Sequence, residues 1–382
     1  MKTAWRFGRV TLGRLVAIAF AFVLAGSPAV ADIKSFNAAM KDRDYARATV
    51  AAASAWSTLD KSRGDLAIIA REFSFAAYLA GDYAAARSYG EAALSASATL
   101  GEEPVLRAAS DVLLRVAEFK LTSSAQTRDR LYASLDARAA MEGIDLIAYM
   151  AADAMTAYDF DRGAWKEAEA SAALGARLSD AGGAGFLIYA YRFELFENVA
   201  AYMRTRDVKP FERMTALKEK IVVTIDAAAN DEAAAPFAKF YWEVHAWQNS
   251  TGSHLVARRK MKWPEPDATR TPRKADDRSV RLLALRTEDD ACQSAIDMRR
   301  DIEYPRSALY KGLIGTVILR VDIDEKGAAA NPEILTSVPA KYFGDAVLKS
   351  AKDIRYKPGD KWSSDCSLVQ PQRVVTFQFT IG

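Results

Sequence analysis

The sequence predicts a multidomain chain: an α-helical repeat array followed by a small α+β C-terminal domain. From about Ile33 to Gln248 it is rich in alanine, its apolar residues recur at helical spacing, and no convincing strand interrupts them. From Gly315 the apolar period falls to two, and it does so again from Arg373, with one helical stretch between. Separating the two regions, Trp263 to Pro266 and Pro272 to Lys274 are proline-spaced and charged, the composition of a linker. The expected organisation is therefore a signal segment over 1–31, a helical array over 32–250, a linker over 251–284 and the C-terminal domain over 285–382.

At the N-terminus, Lys2, Arg6, Arg9 and Arg14 precede the apolar run Leu15 to Ala25, and small residues lead to Ala31 and Asp32. This is the pattern of a secretory signal cut between Ala31 and Asp32. A spanning helix needs about twenty apolar residues, and Gly26 and Pro28 interrupt the run before that length. The expected location is the periplasm; an uncleaved anchor in the inner membrane, facing the periplasm, stays open as the alternative.

Within the array a short theme returns. Arg43-Asp44-Tyr45 is followed by Ala48, Ala52 and Ala55; Gly81-Asp82-Tyr83 by Ala86, Gly90 and Ala93; Gly163-Ala164-Trp165 by Ala168, Ala172 and Gly175. A tight turn ending in an aromatic, then small residues every three or four positions, lets the second helix of a pair press on the first. Tyr78, Tyr89, Trp165, Tyr189 and Tyr191 are expected in inter-helix packing. The segment Phe237 to Trp247 is expected to form a buried closing helix. The theme loosely resembles tetratricopeptide repeats, although the spacing of about forty residues exceeds the usual 34. That resemblance implies a surface for protein partners.

In the C-terminal region Val317, Leu319, Val321 and Ile323 alternate with Thr316, Ile318, Arg320 and Asp322, a half-buried strand. Asp324 to Gly327 supplies a turn, and Pro332 to Val338 a second strand. Phe343, Ala346, Val347, Ser350, Ala351 and Ile354 share one helix face between Tyr342 and Ile354, and Tyr356 to Gly359 stops the helix. In the last strand, Arg373 to Ile381, Val375, Phe377, Phe379 and Ile381 point to the core and Val374, Thr376, Gln378 and Thr380 away. The expected unit has about three strands and one or two helices.

Tyr304-Pro305, Ala308, Gly312, Gly315, Val317, Asp324, Gly327, Phe343, Ala346, Tyr356, Pro358 and a final apolar strand ending at Ile381 stand in an order and spacing that resembles the C-terminal domain of TonB-type energy transducers. Ile354 stands where the family commonly has an aromatic. The resemblance implies a periplasmic module in TonB-dependent transport that takes up a receptor peptide as an added strand on its last strand. The positions implied are Val374, Val375, Thr376, Phe377, Gln378 and Phe379. It also implies an outer-membrane receptor peptide or another envelope protein as partner, and leaves an inner-membrane proton-motive-force motor open as a further one. The alternative is a soluble periplasmic adaptor that uses the helical array for a second partner without energy transduction.

Cysteine use agrees with export. The two cysteines, Cys292 and Cys366, both lie in or beside the C-terminal domain, and an even pair in an oxidising compartment is expected as a disulfide. Closing a loop of that size is worth roughly 4 kcal/mol in the chain-entropy account.

No enzyme chemistry is expected. The two histidines, His245 and His254, sit in no metal or nucleophile motif, and Gly182 to Gly185 lacks the lysine of a nucleotide loop. A hydrolase of the envelope therefore stands last among the functional classes, and no cofactor is implied. With 52 basic and 49 acidic side chains the net charge is only +3, so a nucleic-acid partner is not expected.

Overall fold

A computed structural model describes residues 28–141, 146–180, 183–262, 278–283, 294–298, 302–311, 313–339, 342–358 and 366–380. Two compact units divide between Phe193 and Glu194. The first is helical: α1 (Pro28–Lys41), α2 (Tyr45–Thr58), α3 (Leu66–Ala80), α4 (Tyr83–Leu100), α5 (Pro104–Thr122), α6 (Ala125–Ala139), α7 (Leu146–Arg162), α8 (Trp165–Asp180), a 3-10 turn (Gly183–Phe186) and the start of α9 (Leu187–Thr205).

The recurring theme of the sequence has one shared geometry. Arg43, Gly81 and Gly163 each adopt positive φ. The next amide then donates five residues back, Asp44 N to Ala39 O, Asp82 N to Ala77 O and Ala164 N to Asp159 O, all at 2.9 Å. Asp44 and Asp82 cap the helices that follow by accepting from Arg47 N (3.1 Å) and Ala85 N (3.0 Å). Ala48, Ala52, Ala55, Ala86, Ala93, Ala168 and Ala172 are fully buried. A Cβ on Gly175 would stand 2.3 Å from the Phe193 ring, so only glycine admits that contact. Tyr78 and Tyr89 are buried in the same core, whereas Trp165, Tyr189 and Tyr191 are half-buried.

The second unit holds the rest of α9, then α10 (Lys209–Ala227), α11 (Asp231–Ala257), α12 (Arg278–Leu283), β1 (Ser294–Met298), α13 (Arg306–Tyr310), β2 (Gly315–Ile323), β3 (Ala329–Val338), α14 (Gly344–Ala351), β4 (Ile354–Pro358) and β5 (Gln370–Phe379). An antiparallel three-stranded sheet runs in the order β3-β2-β5, and β1 pairs with β4 in a separate antiparallel ribbon.

One face of the sheet carries the core expected from the alternation: Val317, Leu319, Val321, Ile323, Val375, Phe377 and Phe379 pack with Ala308, Phe343, Val347, Ala351, Ile354 and Tyr356. The second face is covered as well. α11 lies against β2, β3 and β5, and Thr316 and Ile318, expected on a half-solvated face, are fully buried. Ser250 and Thr316, both buried, share a hydrogen bond of 2.7 Å. Phe240, Tyr241, Trp242 and Val244 are buried in near-succession, the signature of a helix enclosed all round. The closing helix expected over Phe237 to Trp247 thus also serves as the second cover of the sheet. Thr251, where the linker was expected to start, is a fully buried helical residue.

Two further details differ from the sequence reading. The helix expected from Tyr342 to Ile354 is the shorter α14, and Ile354 to Pro358, which takes in the expected helix end and most of the stop expected at Tyr356 to Gly359, is strand β4 paired with β1. The buried Ile354, where the family commonly has an aromatic, fills the core from that strand.

Candidate functional site

The sheet has two edges, β3 and β5, and they are built differently. Along β3 the register shifts twice against β2, between Ile318 and Leu319 and between Arg320 and Asp322. Pro332, which has no amide hydrogen to donate, stands on this strand. An isolated bridge from Ala328 to Arg355 joins its start to β4, and Tyr356 N donates to Gly327 O at 2.7 Å.

Gly327 is fixed there by two demands at once. Its φ is +72°, and a Cβ would lie 2.1 Å from Tyr356 O. Asp324 Oδ1 completes the turn by accepting from Lys326 N (2.9 Å) and Ala328 N (2.8 Å).

β5 pairs with β2 in unbroken register from Gly315–Phe379 to Val321–Arg373. Its irregularity is confined to the start, where Gln372 has φ +56°. Asp322 on the central strand holds both neighbours at this point: Oδ1 accepts from Gln372 N and Oδ2 from Asn331 Nδ2, each at 2.9 Å. Those donors, Asn331 first, hold the Asp322 pKa below its ordinary value. At the other end Tyr304, Phe343 and Phe379 form an aromatic triangle. Phe343 stacks on Phe379 at 4.5 Å, and Tyr304 meets them edge-on at 5.7 and 5.6 Å. The Tyr304 hydroxyl donates to Leu313 O. A Cβ on Gly315 would stand 2.1 Å from the Phe343 ring, which is why glycine opens β2.

The sequence-expected edge residues all lie on β5. Val375, Phe377 and Phe379 are core residues at 3%, 8% and 5% exposure, so their side chains are spent on the fold. Val374 and Thr376 are half-buried and Gln378 is exposed. Among the described residues β5 has one neighbour in the sheet, β2, and alternate backbone groups of an antiparallel edge strand point away from that neighbour. The backbone of β5 is therefore what this edge offers. Ser253 on α11 donates to Gln378 Oε1, a tie that sequence spacing did not reveal. The signal for it was Thr316 and Ile318, small and apolar residues on a face read as half-solvated, in a chain that also carries a long aromatic-rich helix.

Ala31 and Asp32 lie in α1, where Asp32 Oδ2 accepts from Ser54 Oγ at 2.8 Å. The apolar run Leu15 to Ala25, Gly182, Cys292, Gly312 and Ile381 lie outside the described residues. Cys366 is half-buried in the segment before β5. Among the described residues no group of His, Cys, Asp and Glu is placed to hold a metal ion, and no helix is long and apolar enough to cross a membrane.

The layout of the sheet, with an aromatic-locked β5 at one edge, coincides with a family assignment. Residues 300–379 match the family of Gram-negative bacterial TonB protein C-terminal domains. The TonB-type match covers α13, both outer strands, the central strand, α14 and β4; β1, at 294–298, stands just before it. No curated protein matches the chain.

Proposed function

We propose that the TonB-type domain binds an extended segment of an outer-membrane receptor or another envelope protein as an added strand along β5, from Val374 to Phe379. One observation carries this reading. β5 is the regular edge of the sheet β3-β2-β5, while the opposite edge is shifted in register and carries Pro332. Main-chain pairing supplies affinity in such an addition, and the outward side chains tune the choice of segment. The protein acts by binding and not by bond-breaking chemistry.

The test uses the full chain and a synthetic periplasmic N-terminal segment of an outer-membrane receptor, titrated by calorimetry. Methylating alternate backbone nitrogens of that peptide removes donors without touching the protein. Binding by the plain peptide and its loss on methylation is the expected result, and equal affinity of the two peptides overturns the reading.

The location we propose is the periplasm, reached by cleavage between Ala31 and Asp32, and mass spectrometry of the mature chain reads this directly. An intact Met1 in the membrane fraction would instead favour an anchored transducer working with an inner-membrane motor. The adaptor reading keeps the same edge and adds the helical unit as a second binding surface. The recurring turn at Arg43, Gly81 and Gly163 and its closely packed helices support that addition. We also propose the pairing of Cys292 with Cys366, supported by Cys366 not being a free thiol.

A further inference from the structure

The C-terminal ends of α9 and α11 bring together five cationic side chains that the strand-addition reading does not use. Arg206 follows α9, and Arg258, Arg259, Lys260 and Lys262 follow α11. An open cavity of about 570 Å³ is lined there by Val256, Arg259, Lys260, Met261 and Lys262. Among the described residues its lining joins three cations to two apolar side chains.

The base beneath these cations is ordered. Arg258 Nε donates to His254 Nε2 at 3.0 Å, which leaves the proton of the neutral ring on Nδ1. Nδ1 donates to Tyr202 Oη at 2.6 Å, and the Tyr202 hydroxyl passes on to Thr251 O at 3.3 Å. Burial, then the charges of Arg206, Arg258 and Lys260, hold the His254 pKa below its ordinary value and keep the ring neutral. The Arg206 guanidinium sits over the Tyr202 ring at 5.3 Å and donates to Met203 Sδ, and Lys260 Nζ donates to Arg206 O at 2.7 Å. Asp207, beside Arg206 in the chain, is exposed. Among the described residues no carboxylate pairs with any of the five cations.

Cations at a helix C-terminus ordinarily balance its dipole. Two helix ends meet here, and each carries roughly half a negative charge. Five positive charges exceed that by several units, an excess that among the described residues no ion pair offsets. Guanidinium forks match the oxygens of a phosphate, and ammonium groups add charge beside them.

We propose that the cavity at the end of α11 is a binding site for a phosphate-bearing anion. The apolar Val256 and Met261 leave room beside the phosphate for a glycerol or similar carbon body. None of the residues that line it belongs to β5.

Two probes distinguish the sources of such a phosphate: inorganic phosphate and dihexanoyl phosphatidylglycerol below its micelle concentration. Each is titrated by calorimetry into the full chain and into its R259A/K262A variant. Both substitutions are at exposed positions, and an unchanged melting temperature verifies that the variant is folded. The expected result is saturable binding of at least one probe, weakened about tenfold or more in the variant and weakened by added salt. Binding of inorganic phosphate alone assigns a free phosphate as ligand, and tighter binding of the phosphatidylglycerol assigns a lipid headgroup. Binding of neither probe, or equal affinity in parent and variant, overturns the proposal.

Discussion

The two edges of the C-terminal sheet have opposite constructions. β3 is blunted: its register slips twice against β2, Pro332 removes a donor, and Gly327 and Ala328 tie its start to β4. β5 keeps unbroken register over the stretch that pairs with Gly315 to Val321, and it is steadied from both sides, by Phe343 and Tyr304 on the core face and by Ser253 of α11 on the other. An exposed regular edge is an aggregation hazard that folds commonly remove. One edge is blunted in this way and the other stays regular among the described residues, and the proposed strand addition rests on that contrast.

The largest effect that would break this contrast is on binding. Thr376→Pro puts into β5 the residue that β3 already carries, at a side chain outside the core. It should abolish calorimetric binding of the receptor segment while near-ultraviolet circular dichroism shows a folded domain. Retained affinity would place the ligand elsewhere.

Next comes the blocked edge. Gly327→Ala meets Tyr356 O at 2.1 Å and a positive φ, and should cost about 3 to 4 kcal/mol in urea unfolding. The folded fraction should keep its affinity for the peptide, because β5 is untouched.

Ile318→Ala tests the central strand. Its side chain is on the α11 face and fully buried, so a loss of about 3 kcal/mol is expected, comparable to Leu319→Ala on the other face. A loss under about 0.5 kcal/mol, the usual limit for an exposed site, would mean that α11 does not cover the sheet.

The pH response follows from α11 itself. His245, stacked on Tyr241 at 5.9 Å, has its pKa pushed down to about 3 by burial and by Lys218. Because the folded value lies below the ordinary 6.5, the unfolded chain binds the extra proton. Stability is therefore complete above about pH 6.5 and declines as pH falls towards 3. His245→Gln should flatten that part of the melting-temperature profile. His254 is shifted in the same direction, so part of the decline remains in that variant.

The smallest effect is expected from Gln378→Ala, which removes the tie to Ser253 at an exposed position and should cost about 0.5 to 1 kcal/mol.

How much of this was legible depends on the range of the interactions. β2, the Asp324 to Gly327 turn, β5 and its core face could be read from local alternation, because those side chains answer to neighbours one strand away. The recurring turns of the helical unit were legible for the same reason: Asp44 and Asp82 act within three residues of themselves. β1 and β4 were missed because five-residue strands such as Ser294–Met298 and Ile354–Pro358 hold too few alternations to stand out from a helix end. The cover provided by α11 was missed because Ser250–Thr316 and Ser253–Gln378 join positions far apart in the chain. Periodicity says that a face is apolar and not what lies upon it. The contrast between the two edges was likewise invisible, since it resides in register and backbone geometry.

Amide hydrogen exchange along both edges, with and without the receptor segment, tests the central claim most directly. Strand addition at β5 predicts new protection of alternate amides between Val374 and Phe379 and unchanged exchange along Ala329 to Val338. Protection that appears along β3, or at neither edge while the peptide is bound, would contradict it.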